Sequence, residues 1–99
     1  MQAFYPAAFD REAGCTEREW LMWLPAALGE VPVRQSPGRA EVDLDEGRLD
    51  LSWQVCSPRV IALVRLPRLA VQFRFTNVPD ARRHAFMKRF DLHMQRGGG

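Results

Sequence analysis

Cys15, Cys56, His84 and His93 are the whole supply of sulfur and imidazole ligands in this chain of 99 residues. A structural zinc ion takes about four such ligands, usually in closely spaced pairs. The cysteines lie far apart, and the histidines stand nine residues apart in a segment that reads as one helix. At about 100° per residue they project to opposite sides, so no metal site is expected. Nucleophilic catalysis asks for a serine or cysteine beside a sharp glycine turn, with a histidine and a carboxylate to follow. Ser36, Ser52 and Ser57 have no such setting. Cys56, at a strand end before Ser57-Pro58, reads as a small packed residue. His84 and Asp91 complete the reactive types, and their spacing points to no substrate. The run Gly97-Gly98-Gly99 is no phosphate loop, because no strand precedes it and no Lys-Ser/Thr pair follows. Glu41, Asp43, Asp45, Glu46 and Asp50 lack the spacing of a calcium loop and read as a solvated hairpin. The residues therefore predict no enzyme and no cofactor.

The organised pattern is basic. Arg82, Arg89 and Arg96 recur every seven residues, so on a helix they fall within about 40° of one another, rising ~10 Å per step, with His93 between them. No glutamate on the same helix neutralises them at i+4, which leaves the stripe to an outside anion or to the acidic hairpin. A nucleic-acid or polyanion partner is the sharper reading. The plainer one is a solvated flank, because 13 of the 14 basic residues are arginine, the usage of a GC-rich, bacterial genome. Nucleic acid is the less favoured partner on this ground.

Charge is divided along the chain. Residues 1–58 hold five arginines against ten acids, and residues 59–99 hold nine basic residues against Asp80 and Asp91, for a total of +2. The two parts attract each other within one domain. With 46% hydrophobic and 26% charged residues the composition is that of a folded protein, and the length supports one core. The first ten residues hold no basic residue and no leader-like apolar run, and no stretch nears the ~20 apolar residues of a transmembrane helix, so a cytoplasmic protein with two reduced thiols and no membrane contact is expected.

The elements that must position these residues can be read in order. Residues 1–14 have no periodicity, but Phe4, Tyr5 and Phe9 make them a clasp across the fold. Thr16 and Glu19 form a capping box that starts a helix, and Trp20, Trp23, Leu24, Ala27 and Leu28 lie along its buried stripe. Pro25 should kink or end the helix and Gly29 marks its exit. Residues 31–39 read as a loop. Four strands follow as an antiparallel meander: Ala40 to Leu44, Leu49 to Cys56, Val60 to Leu66 and Leu69 to Phe75, with breaks at Asp45-Glu46-Gly47, Ser57-Pro58 and Pro67-Arg68. The third, apolar on both sides, reads as a central strand. Asn77 caps a final helix, with Phe86, Met87, Phe90 and Met94 on its core side, and residues 97–99 form a mobile tail.

The expected fold is therefore one α+β domain over residues 1–99, order α-β-β-β-β-α, with both helices on one sheet face. Trp53, Phe73 and Phe75 point inward and Asp50, Gln54, Gln72 and Arg74 outward, which argues against base stacking on an open sheet. Apolar surface is left over: Ile61 and Leu63 on the outer sheet face, and Ala81, Ala85 and Leu92 on the outer side of the last helix. These residues predict a protein–protein interaction module that forms a homodimer or binds another protein.

Overall fold

The computed structural model describes the backbone of residues 4–98 and the side chains of residues 4–95. Its elements are β1 (Ala8–Ala13), α1 (Glu17–Leu28), β2 (Val33–Ser36), β3 (Arg39–Leu44), β4 (Gly47–Ile61), β5 (Val64–Thr76) and α2 (Asp80–Gly98). The strands form one antiparallel sheet in the order β1-β5-β4-β3-β2, and both helices pack on the same face. The architecture is the expected α+β, but the sheet has five strands rather than four. Each difference has a local cause.

Residues 8–13 are an edge strand rather than a clasp. Phe9, Arg11 and Ala13 turn toward the core while Ala8, Asp10 and Glu12 face water. The period of two is hidden in the sequence because an arginine holds an inward position. The Arg11 guanidinium lies over the rings of Phe9 and Phe73, 5.3 and 5.1 Å from their centroids, where its charge meets their negative faces. The supposed loop at 31–39 contains β2, whose four residues are all exposed, so no alternation marks it. The supposed break at Ser57-Pro58 does not end β4. A bulge between Cys56 and Arg59 absorbs the proline, and the chain runs on to Ile61, turning at Ala62-Leu63 into β5. The apolar segment 60–66 is thus no central strand. Its two halves pair with each other, Ile61 with Val64 and Val60 with Arg65.

Other local signals act as read. Thr16 Oγ1 accepts from the Glu19 N–H at 3.1 Å, and Glu19 Oε1 accepts from the Thr16 N–H at 2.9 Å. Pro25 does not end α1, which runs on through Leu28 with the proline in its last turn, and Gly29 leaves it at φ 81° while donating to the Pro25 carbonyl. Asn77 does not cap α2. It takes φ 57° and its side-chain amide donates to the Glu46 carbonyl, so it ties the two strand ends instead. Gly47 is demanded by the same junction, where a Cβ would lie 2.2 Å from the Asn77 carbonyl oxygen. The α2 backbone continues through Gly98, and only Gly99 of the expected tail falls outside the described residues.

The core is aromatic at its centre. Phe73 stacks on Phe9 at 4.6 Å and meets Phe90 edge-on at 5.5 Å; Trp20 packs on Phe90 and Trp53 at 6.0 and 5.7 Å. The opposite sheet face is wet, and paired charges lace it, among them Asp10 with Arg74 at 2.8 Å and Arg34 with Asp43 at 2.9 Å. The bond from Arg34 holds the Asp43 carboxyl below its usual range.

Among the described residues one charged side chain is buried, Arg83, 7% exposed. Its Nε donates to the Tyr5 carbonyl at 2.7 Å, Nη1 to the Val78 carbonyl at 3.0 Å and Nη2 to Asp80 at 2.6 Å. A planar fork with fixed donors can satisfy three acceptors at once. Arg83 thereby nails the chain before β1 to the start of α2. Removing it leaves the carbonyls of Tyr5 and Val78 short of a donor. Arg83→Ala is expected to lose about 3 kcal/mol of unfolding free energy in urea, and Arg83→Lys to recover less than half, having no planar fork.

Candidate interaction surface

The residues singled out for chemistry do not converge. Cys15 is buried and its thiol is pushed up by that burial, with Glu19 adding to the effect; Cys56 lies half-buried on the other face, and both are free thiols. Among the described residues no three of His, Cys, Asp and Glu gather closely enough to hold a metal ion. No described helix is long and apolar enough to cross a membrane.

The basic stripe is largely engaged within the molecule. Arg82 Nε bonds Asp45 at 3.0 Å, which joins α2 to the acidic β3–β4 turn. Arg89 lies against the end of α1, with Nη2 3.4 Å from the Ala26 carbonyl, where the last carbonyls of a helix favour a cation. The space over Gly29 belongs to the same guanidinium, since a Cβ there would meet Arg89 Nε at 3.1 Å. His93 Nδ1 lies 2.9 Å from the Arg89 carbonyl, and the Arg96 side chain falls outside the described residues.

Sequence reasoning missed a polar cluster that β1 and α2 build together. The Tyr5 hydroxyl donates to Asp91 at 2.7 Å, and Arg11 donates to both oxygens of the same carboxylate. Burial, then the bond to Asp91, pushes the Tyr5 phenol from 10.0 up to about 12. His84 meets the Tyr5 ring edge-on at 5.6 Å. The signal was faint. Asp91 stands eight residues after the buried Arg83, so the two share a helix side. All members of the cluster have their partners inside the molecule, so it is a tie between chain ends.

Among the described residues a run of exposed aliphatic side chains marks the far half of the β4–β5 hairpin. Pairing of β1 ends at Ala13 with Leu69, and pairing of β3 ends at Arg39 with Ser52. Beyond those points β4 and β5 continue as a two-stranded arm. Leu63, at the turn, is 99% exposed, and Val55, Val60, Ile61 and Val64 each leave more than half their surface in water. The arm is rooted by Arg59 and Arg68, which share Glu12 at 3.2 and 3.1 Å, and by Arg68 Nε on the Ser57 carbonyl at 2.8 Å. Ile61 and Leu63, expected on an outer sheet face, are thus on this projection. Ala81, Ala85 and Leu92 are exposed on α2, as a separate strip. The arm had a signal in the sequence: Pro58 and Pro67 stand symmetrically about the Ala62-Leu63 turn.

No family model matches the chain, and no curated protein and no solved structure shows a significant likeness to it.

Tyr5 is the single tyrosine, so absorbance of tyrosinate reads it directly. A phenol whose pKa is raised on folding stabilises the fold below its unfolded pKa and loses that contribution as pH rises through the folded value. The window here runs from pH 10.0 to about 12. Titration is expected to show a midpoint near 12 that falls toward 10.0 in Asp91→Asn, and Tyr5→Phe should flatten the loss of stability across that window.

Proposed function

We propose that the protein is a self-associating interaction module that works as a homodimer through its β4–β5 arm. The observation that carries this reading is the arm itself: six aliphatic side chains at 42–99% exposure, Val55 and Val60 on the helix side, Ile61, Val64 and Leu66 on the other and Leu63 at the turn, on a ribbon that beyond Val55 no third strand of the described chain flanks. A two-stranded hairpin is marginal in water by itself, and three or more strands or a packed layer are normally needed to hold one. Aliphatic surface gathered at one end of a small monomer is the mark of a contact surface. A second copy would supply the missing layer, and an isologous interface makes each patch serve twice.

The polyanion reading has less support, because Arg82 and Arg89 already serve Asp45 and the end of α1. The strip of Ala81, Ala85 and Leu92 is narrower and has only one large side chain, so we assign the main contact to the arm.

Sedimentation over a concentration and salt series tests this. The wild type is expected at twice 11.4 kDa and largely insensitive to salt or to added DNA and RNA. Ile61→Asp with Leu63→Asp should sediment as a folded monomer, weakening association by at least ~100-fold, about 2.7 kcal/mol, and its Tm should no longer rise with protein concentration. Ala85→Asp on α2 should stay dimeric. A wild type that remains a monomer at high concentration overturns the proposal.

A further inference from the structure

The body has a groove at the place where the arm leaves it. The first turns of α1 and the β2–β3 turn form its walls, and it is lined by Glu17, Leu21, Gln35, Ser36, Pro37, Gly38 and Trp53. Leu21 is 40% exposed there, and the Trp53 N–H donates to the Gly38 carbonyl at 3.0 Å, which holds the β2–β3 turn against β4. Val55, two residues beyond Trp53 on the same face, is the first residue of the arm. One chain therefore carries both an apolar projection and, at its root, an apolar groove with one carboxylate.

We propose that in the homodimer the tip of each arm, Val60 to Val64, seats in the groove at the root of the other copy's arm. This rests on the self-association reading above and names its geometry. Seven residues separate Val55 from Ala62, so the arm reaches ~23 Å at 3.3 Å per residue. That is about half of the 47 Å length of the molecule. Two arms lying antiparallel about a two-fold axis bring each tip to the other's root, so the contact closes on itself.

Charge selects this arrangement over one of tip against tip. No acid occurs between Asp50 and Asp80, and Arg59 and Arg68 at the root are taken up by Glu12, so Arg65 is the charge nearest the tip and matching tips would bring two such guanidiniums together. An offset by the arm's length carries Arg65 to Glu17 instead. Arg65 makes no ion pair among the described residues, and the alternation of β5 puts it on the side of Val60 and the helices. Glu17 accepts from the Trp53 indole through Oε2 at 2.9 Å, which leaves Oε1 for an incoming guanidinium. The strand edges are unsuited to simple strand addition. Pro58 in β4 and Pro67 in β5 each lack an N–H, and the bulge interrupts β4, so the contact falls to side-chain faces.

Disulfide trapping decides the geometry. Full-length Leu63→Cys and Leu21→Cys chains, both carrying Cys56→Ser, are mixed, oxidised and sorted by mass, with the oligomeric state of the Cys56→Ser parent measured by sedimentation. Arm exchange predicts the mixed 63–21 disulfide in at least tenfold excess over the 63–63 product, and a tenfold weaker dimer for Arg65→Glu. A dimeric parent that yields mainly the 63–63 product, or no mixed product, overturns arm exchange and leaves self-association standing. A parent that is monomeric throughout overturns both.

Discussion

The inner row of β5 is the constraint on which the rest depends. Leu69, Val71, Phe73 and Phe75 lie between β1 on one side and β4 on the other, and both helices close over the same sheet face. Phe73 is fully buried and is the meeting point. Phe9 of β1 stacks on it, Leu51 of β4 lies across from it, Phe90 of α2 meets its edge, and the Arg11 cation lies over its face. Residues from the start, middle and end of the chain thus share one aromatic centre. A ring there buries a large apolar area and orients its neighbours edge-on or stacked, which fixes where both outer layers can go.

Around that centre, polar ties decide how the chain ends are held. Residues 4–7, just before β1, have no regular structure of their own, so their backbone groups need partners from elsewhere. Arg83 supplies one to the Tyr5 carbonyl, the Phe75 N–H donates to the Ala7 carbonyl at 2.7 Å, and Asp91 takes the Tyr5 hydroxyl. These bonds are shielded and mutually satisfied, unlike the exposed ion pairs of the wet face, each of which contributes little. The division of charge along the chain is resolved elsewhere, through Arg82 with Asp45, Arg74 with Asp10, and Arg59 and Arg68 with Glu12.

The same centre also explains the arm. The helices and the short strands β1, β2 and β3 cover only the part of the β4–β5 hairpin that flanks Phe73. β4 and β5 have fifteen and thirteen residues, against six in β1 and in β3, so roughly half of the hairpin has no neighbour. Charges at its root and prolines on both strands keep its edges from pairing freely, a common protection for exposed strands. Its faces carry aliphatic residues that such protection would normally exclude. That contrast directs the functional reading toward a partner on those faces.

By itself the sequence determined the elements whose signals are local. The Thr16–Glu19 box, the buried stripe of α1, the alternation of β3 and of the Leu49 to Val55 and Leu69 to Phe75 segments, and the Phe86 to Phe90 stripe of α2 depend on neighbours three or four residues away or on strict period two. Tertiary structure decided what lies between distant segments. An inward Arg11 is intelligible only once Phe73 and Asp91 stand beside it, and Arg83 reads as one more arginine until the Tyr5 carbonyl arrives. The apolar run from Val60 to Leu66 has the same composition in a buried central strand as in a projecting hairpin. Composition reports how much a segment avoids water, whereas only the positions of the other layers decide whether anything covers it.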